Sequence, residues 1–113
     1  MKVHWIKSQA DTWLKFEDAD LATVKGTGIY LIWQSGSSND RVVYVGQGNV
    51  ADRIACHRQE RNMTRHGPMR FTWASVASQY RDGVERYLAD KYSPLEGDHH
   101  PIAAAIAVNL PGE

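Results

Sequence analysis

Only one cysteine, Cys56, occurs in 113 residues. An internal disulfide is therefore excluded, and the fold must rest on its core alone. Long apolar runs are missing too. No stretch approaches the ~20 residues that a membrane-spanning helix needs, and the opening MKVHWIKSQADTW has no apolar centre of the kind a secretory leader carries. A cytoplasmic setting without a membrane partner is the expectation. Net charge is also lacking, with 13 Lys and Arg against 13 Asp and Glu. That excludes a strong overall field that would draw a polyanion to the whole molecule. Internal repeats and low-complexity linkers are absent, so residues 1–113 are expected to form a single domain.

What the chain does hold is unevenly placed. Four tryptophans and five tyrosines can fill a substantial core from few residues. Residues 53–70 carry five arginines (Arg53, Arg58, Arg61, Arg65 and Arg70) against Glu60 alone. Residues 82–113 carry Arg86 and Lys91 against six acids. A basic stretch followed by an acidic one is the pattern of a phosphate-contacting surface beside a cation site, although a solvated charged face gives the same pattern.

The strand signal is clearest in residues 28–34 (GIYLIWQ) and 41–46 (RVVYVG), β-branched and aromatic segments joined by the polar loop 35–40. They predict a β-hairpin. Residues 11–24 suggest an acidic helical turn, and Lys25-Gly26-Thr27-Gly28 a turn leading into the first strand. Gly46-Gln47-Gly48 reads as a turn that leads to a helix over about 50–61 with Asn49 as its N-cap, or as backbone near a phosphate. A third strand is predicted over 69–76, with Phe71 and Trp73 on one face. A second helix is predicted over about 79–92, with Val84, Tyr87, Leu88 and the stem of Lys91 along one side. Ser93-Pro94 ends it, and the tail is expected to pack in extended form. The order strand–strand–helix–strand–helix implies an α/β domain of the α+β kind, a three-stranded antiparallel β-sheet flanked by helices.

Gly28-Ile29-Tyr30, a short loop, Tyr44-Val45-Gly46, a helix carrying Arg53 and a later helix carrying Glu85 together resemble the GIY-YIG nuclease family. That family includes homing endonucleases, some restriction enzymes and the incision subunit of bacterial nucleotide excision repair. The resemblance covers about residues 26–97. It implies a shallow cationic site that hydrolyses a DNA phosphodiester with one divalent metal ion, Mg²⁺ or Mn²⁺. Tyr30 and Tyr44 match the two motif tyrosines, Arg53 the helix arginine and Glu85 the metal-binding glutamate. His57 stands where some restriction-enzyme members carry a histidine. One departure is plain: many members place an asparagine three residues after a proline, and Pro94-Leu95-Glu96 leads here to Gly97. Asp98 and Asn109 are the nearby candidates to take its place.

The chemistry suits those residue types. In the first strand, Ile29, Leu31 and Trp33 share one face and Tyr30 points to the other. A register with Gln34 opposite Asp40 also sets Tyr30 opposite Tyr44. Tyr30 is the candidate to orient or deprotonate the water, with Tyr44 nearby, and a phenol does so only where its surroundings favour the phenolate. Arg53 and His57, four apart, share a helix face. Arg53 can grip a phosphate with two donors, and His57 can assist proton transfer. Glu85, at the border of the apolar side of its helix, suits a hard cation that keeps several waters. Arg58, Arg61 and Arg65 are the candidate contacts to the DNA backbone. The alternative is an inactive nucleic-acid-binding module on the same scaffold. In either case a protein partner could supply specificity. Asp98-His99-His100 has the residue types of a metal cluster, but adjacent histidines point in different directions, and the segment reads as a polar loop.

Overall fold

The alternation in the first strand segment decides how the sheet divides the core. The computed structural model describes residues 1–97 and 99–113. In it the hairpin forms from β2 (Thr27–Gln34) and β3 (Val42–Asn49). Ile29, Leu31 and Val45 face one way and join a cluster with Val84 and Leu88. Tyr30, Ile32 and Val43 face the other way, against Val50, Ile54 and Met63. The sheet is thus a middle layer between helices. On the Tyr30 side lie α1 (Val50–His57) and the short α2 (Arg61–Thr64). On the other side lies α3 (Ser78–Tyr92).

Beyond the hairpin, β4 (Met69–Ser75) pairs antiparallel with the free edge of β2, and the two-residue strand β1 (Leu14–Lys15) pairs with β4. The order is β1-β4-β2-β3, so the antiparallel sheet of this α+β fold has four strands rather than the three expected. Two residues are too few to show alternation, and so β1 leaves no periodic signal. Around it, residues 11–24 form β1, a turn and a single 3₁₀ turn (Leu21–Thr23) capped by Asp20, the one helical turn of the segment. Among the described residues no helix is long and apolar enough to cross a membrane.

The hairpin register also differs from expectation. Tyr30 lies opposite Gly46, and Tyr44 lies opposite Ile32. The offset is even, so both tyrosines stay on one face. A bulge between Ile32 and Trp33, which pairs Trp33 with Val42 and leaves Val43 as the extra residue, supplies one residue of the offset. The other arises at the loop, where the Gln34 N–H meets Arg41 O rather than Asp40. Gly46, Gln47 and Gly48 are part of β3 and not a turn, and Asn49 ends the strand and caps α1 in one step. Its Oδ1 accepts the Asp52 N–H at 3.0 Å. The predicted helix over 50–61 is in fact α1, a turn and α2. The chain leaves the helix where the Arg58 guanidinium turns to donate to the carbonyls of Phe16 (2.7 Å) and Ala19 (2.8 Å). Lys91 is exposed and does not extend the apolar side of α3.

After α3 the chain crosses the outer edge of the sheet. Leu95 and Glu96 donate their N–H groups to Val42 O and Val43 O of β3. Residues 102–107 run without regular structure, with the Ile106 N–H bound to Gly83 O, and Val108 is buried. The crossing is clamped by Glu96, whose carboxylate accepts from Arg65 Nη2 (2.6 Å) and His66 Nε2 (2.8 Å). These two partners, His66 first, hold its pKa down to about 2. A folded-state pKa below the unfolded value of ~4.3 contributes stability that is present above that value and lost as pH falls through the folded one. Acid unfolding between about pH 4.5 and 2 should therefore weaken the protein, and Glu96→Gln should flatten that part of the stability–pH curve, as read by urea denaturation at stepped pH.

Candidate functional site

Tyr30 comes from the central strand β2 and is fully buried, hydroxyl included. A buried hydroxyl without a partner costs ~1–3 kcal/mol, and the sequence places two partners on α1 to meet it. His57 Nε2 lies 2.8 Å from the Tyr30 oxygen. Arg53 Nε donates to the same oxygen at 3.4 Å. Their four-residue spacing on α1 aims both at one point, and the Asn49 cap fixes where that helix starts. Gly46 makes room for the phenol. A Cβ there would lie 2.5 Å from the Tyr30 oxygen and 2.8 Å from the Tyr44 ring. The two tyrosine rings stack at 6.0 Å and 8°, and Tyr44 also packs on the His57 ring at 4.4 Å.

Behind His57 stands Glu60, whose Oε1 meets His57 Nδ1 at 2.5 Å. An ionised carboxylate only accepts, so Nδ1 carries the imidazole proton, Nε2 is the acceptor and Tyr30 donates to it. The order is Tyr30 O–H to His57, then His57 N–H to Glu60. Glu60 did not emerge from the sequence, although its position three residues after His57 was the available signal. Burial, first of all, raises the Tyr30 pKa well above that of a free phenol; the Arg53 hydrogen bond opposes it, while Tyr44 and Glu85 add to it. Burial likewise lowers the pKa of His57, against the pull of Glu60. Contact with Tyr30 first, then Tyr44, holds Arg53 firmly in its charged form. At rest the group is a neutral phenol on a neutral imidazole beside a fixed cation.

Glu85 belongs to α3, on the opposite side of the sheet, and reaches the site by way of the β3 edge. It is 6 % exposed. Its Oε1 accepts from Gln47 Nε2 at 3.0 Å and its Oε2 meets His100 Nδ1 at 2.8 Å. Gln47 Nε2 is shared with Asp82 Oδ1 at 2.9 Å. Of the expected site residues, Tyr30, Tyr44, Arg53 and His57 are in mutual contact, and Glu85 acts on Tyr30 only through its charge. Among the described residues no three His, Cys, Asp or Glu side chains converge as a ready cation cage. The donor set nonetheless fits a divalent ion. A carboxylate offers about four lone pairs, of which two are used here, and hard ions complete their shell with water. Neither Gln47 nor His100 carried a sequence signal as a neighbour of Glu85.

The remaining candidates divide by what they already hold. Arg58 is tied to backbone carbonyls and Arg65 to Glu96, whereas Arg61 is exposed without a side-chain partner among the described residues. Asn109 binds the backbone of Val3 in both directions, as acceptor at 2.7 Å and donor at 3.0 Å, which commits its amide to the amino-terminal segment. Asp98 lies outside the described residues. Gly97 sits against Tyr44 with φ +73°, and a Cβ there would come within 2.5 Å of that ring. Clefts of about 440 and 610 Å³ are lined by Trp33 with Lys91 and by Trp73 with Asp18, and none of the candidate catalytic residues lines them.

No family model, curated protein or solved structure matches the chain. Two measurements check the geometry. Gly97→Asn should push on the Tyr44 ring and destabilise the fold by ~1–3 kcal/mol; an unchanged denaturation midpoint would mean that Tyr44 yields freely. The His57 ring should titrate by NMR below the ordinary ~6.5. With its folded pKa lowered, His57 contributes stability that is present above about pH 6.5 and lost as pH falls toward the folded value.

Proposed function

We propose that the chain is a divalent-ion-dependent endonuclease of the GIY-YIG type, hydrolysing phosphodiester bonds in DNA. The observation that carries this reading is the Tyr30 hydroxyl, held between His57 Nε2 and the Arg53 guanidinium, with the Glu85 carboxylate close enough to act on its acidity. DNA as the polymer, and the two-motif framework itself, come from the resemblance in the sequence.

In this reading Arg53 binds a non-bridging phosphate oxygen and offsets the charge that grows there in the transition state. Arg53, in turning to the phosphate, uncovers the buried Tyr30 oxygen, which takes a proton from the attacking water as it passes its own to His57 Nε2. Glu60, on Nδ1, steadies the imidazolium that results. Charge is conserved along that line: water becomes hydroxide at the phosphorus, and one proton moves to the imidazole. Tyr44 keeps the Tyr30 and His57 rings in place by packing on both. Glu85 would hold a Mg²⁺ or Mn²⁺ ion, which would supply polarisation of the phosphate and stabilisation of the departing 3′ oxygen. Arg61, and Arg58 and Arg65 where their present partners yield, are the contacts proposed for the backbone of the duplex, with a protein partner as the source of specificity.

A second reading, a nucleic-acid-binding module without turnover, is favoured by one observation: both Glu85 oxygens already have protein partners. A nicking assay on plasmid, branched and single-stranded DNA with Mg²⁺ and Mn²⁺ separates the two. Cleavage should require the ion, fall at least ~100-fold in Arg53→Ala and Glu85→Ala, and fall ~10-fold in Glu60→Gln. Robust cleavage by both alanine variants would refute the site. Binding that persists in EDTA, with no cleavage of any substrate, would select the binding module.

A further inference from the structure

A lone carboxylate is a weak hard-ion site, and the tail brings Glu85 a second donor from outside the motif region. His100 reaches it from the segment beyond α3, with Nδ1 at 2.8 Å from Oε2. The side chains are 10 % and 8 % exposed. We propose that His100 is a second protein ligand of the cation at Glu85, making a mixed nitrogen–oxygen site that prefers Mn²⁺ and other first-row transition ions to Mg²⁺. The inference rests on the reading of Glu85 as a cation ligand.

Three observations support it. First, neighbouring ligands on an octahedral ion with bonds of ~2.1 Å stand about 3.0 Å apart. The gap between Nδ1 and Oε2, now bridged by a proton, is therefore close to the gap an ion bridges, and exchange requires only a small movement. Second, Gln47 anchors Oε1 and is itself anchored by Asp82, which fixes the carboxylate plane and leaves Oε2 turned to the imidazole. Third, His100 Nε2 is buried and has no hydrogen-bond partner among the described residues, where the ring's one hydrogen bond is to Glu85. A histidine buried only to support the fold usually has both nitrogens paired. Imidazole suits Mn²⁺, Co²⁺ and Zn²⁺ better than it suits Mg²⁺, which takes oxygen donors and water. The added nitrogen thus sets which ion is held.

The experiment is pulsed electron paramagnetic resonance on the Mn²⁺-loaded protein, with calorimetric titration of Mn²⁺ and of Mg²⁺ alongside. The expected result is ¹⁴N coupling from a directly bound imidazole in the wild type, kept in His99→Gln and lost in His100→Gln. Mn²⁺ affinity should fall about tenfold in His100→Gln with Mg²⁺ affinity little changed, and both should be lost in Glu85→Gln. Absence of ¹⁴N coupling in the wild type, its persistence in His100→Gln, or no Mn²⁺ binding at millimolar concentration would each overturn the proposal. Nuclease failure reads differently: Mn²⁺ bound through His100 with no cleavage of DNA sinks the proposed activity and leaves this site standing.

Discussion

The buried hydroxyl of Tyr30 is the constraint around which the rest of this structure is arranged. A phenol at the centre of the sheet brings a large apolar ring, which the core needs, and a polar oxygen, which it must satisfy. Every neighbour answers one of those two demands. Gly46 leaves the cross-strand space that the ring occupies. Tyr44 and Ile32 pack beside it, and α1 presents two side chains to its oxygen. His57 is buried in turn and needs a partner for its second nitrogen, which Glu60 provides from the half-exposed side. The demand is passed outward from the core to the solvent, one hydrogen bond at a time. A chain of that kind is also a route for a proton, which is why the same residues suit both a stable core and a hydrolytic site.

Much of this was legible in the sequence because period and spacing are local. Alternation in GIYLIWQ placed Tyr30 opposite the face of Ile29 and Leu31, and a four-residue spacing placed Arg53 and His57 together. Asn49 was readable as a cap from its type and position. What escaped depends on geometry that no short window contains. The bulge at Val43 and a one-residue shift at the loop together move the register by two, which keeps both tyrosines on one face, so the pairing of Tyr30 with Gly46 was invisible while the shared face was not. The break between α1 and α2 follows from the bonds of Arg58 to carbonyls some forty residues earlier. His100 meets Glu85 only because the tail folds back along α3.

The basic segment shows how charge in a sequence differs from charge on a surface. Arg58 and Arg70 donate to backbone carbonyls, and Arg65 faces Glu96. Their guanidinium groups hold loops in place, a use that suits the five fixed donors of arginine. That leaves Arg53 and Arg61 as the cations most open to a phosphate. In the proposed reading, this segment offers few cations for counterion release, and its own contribution to affinity for a polyanion is expected to be small at physiological salt.

Removing the Tyr30 proton is the demanding step in the proposed chemistry, and the ranking of influences on it decides where help must come from. Burial is the largest influence raising its pKa and the charge of Glu85 the smallest. Neutralising Glu85 therefore eases deprotonation only slightly. The Arg53 hydrogen bond is the strongest opposing influence, yet it leaves the phenol far above neutrality. What remains is transfer in step with the chemistry: a proton leaves for His57 Nε2 as another arrives from water, so that no full phenolate stands in the core. In that scheme Glu60 matters more to the rate than its exposed position suggests, because it stabilises the imidazolium that receives the proton, while Glu85 would act only through the cation that it holds.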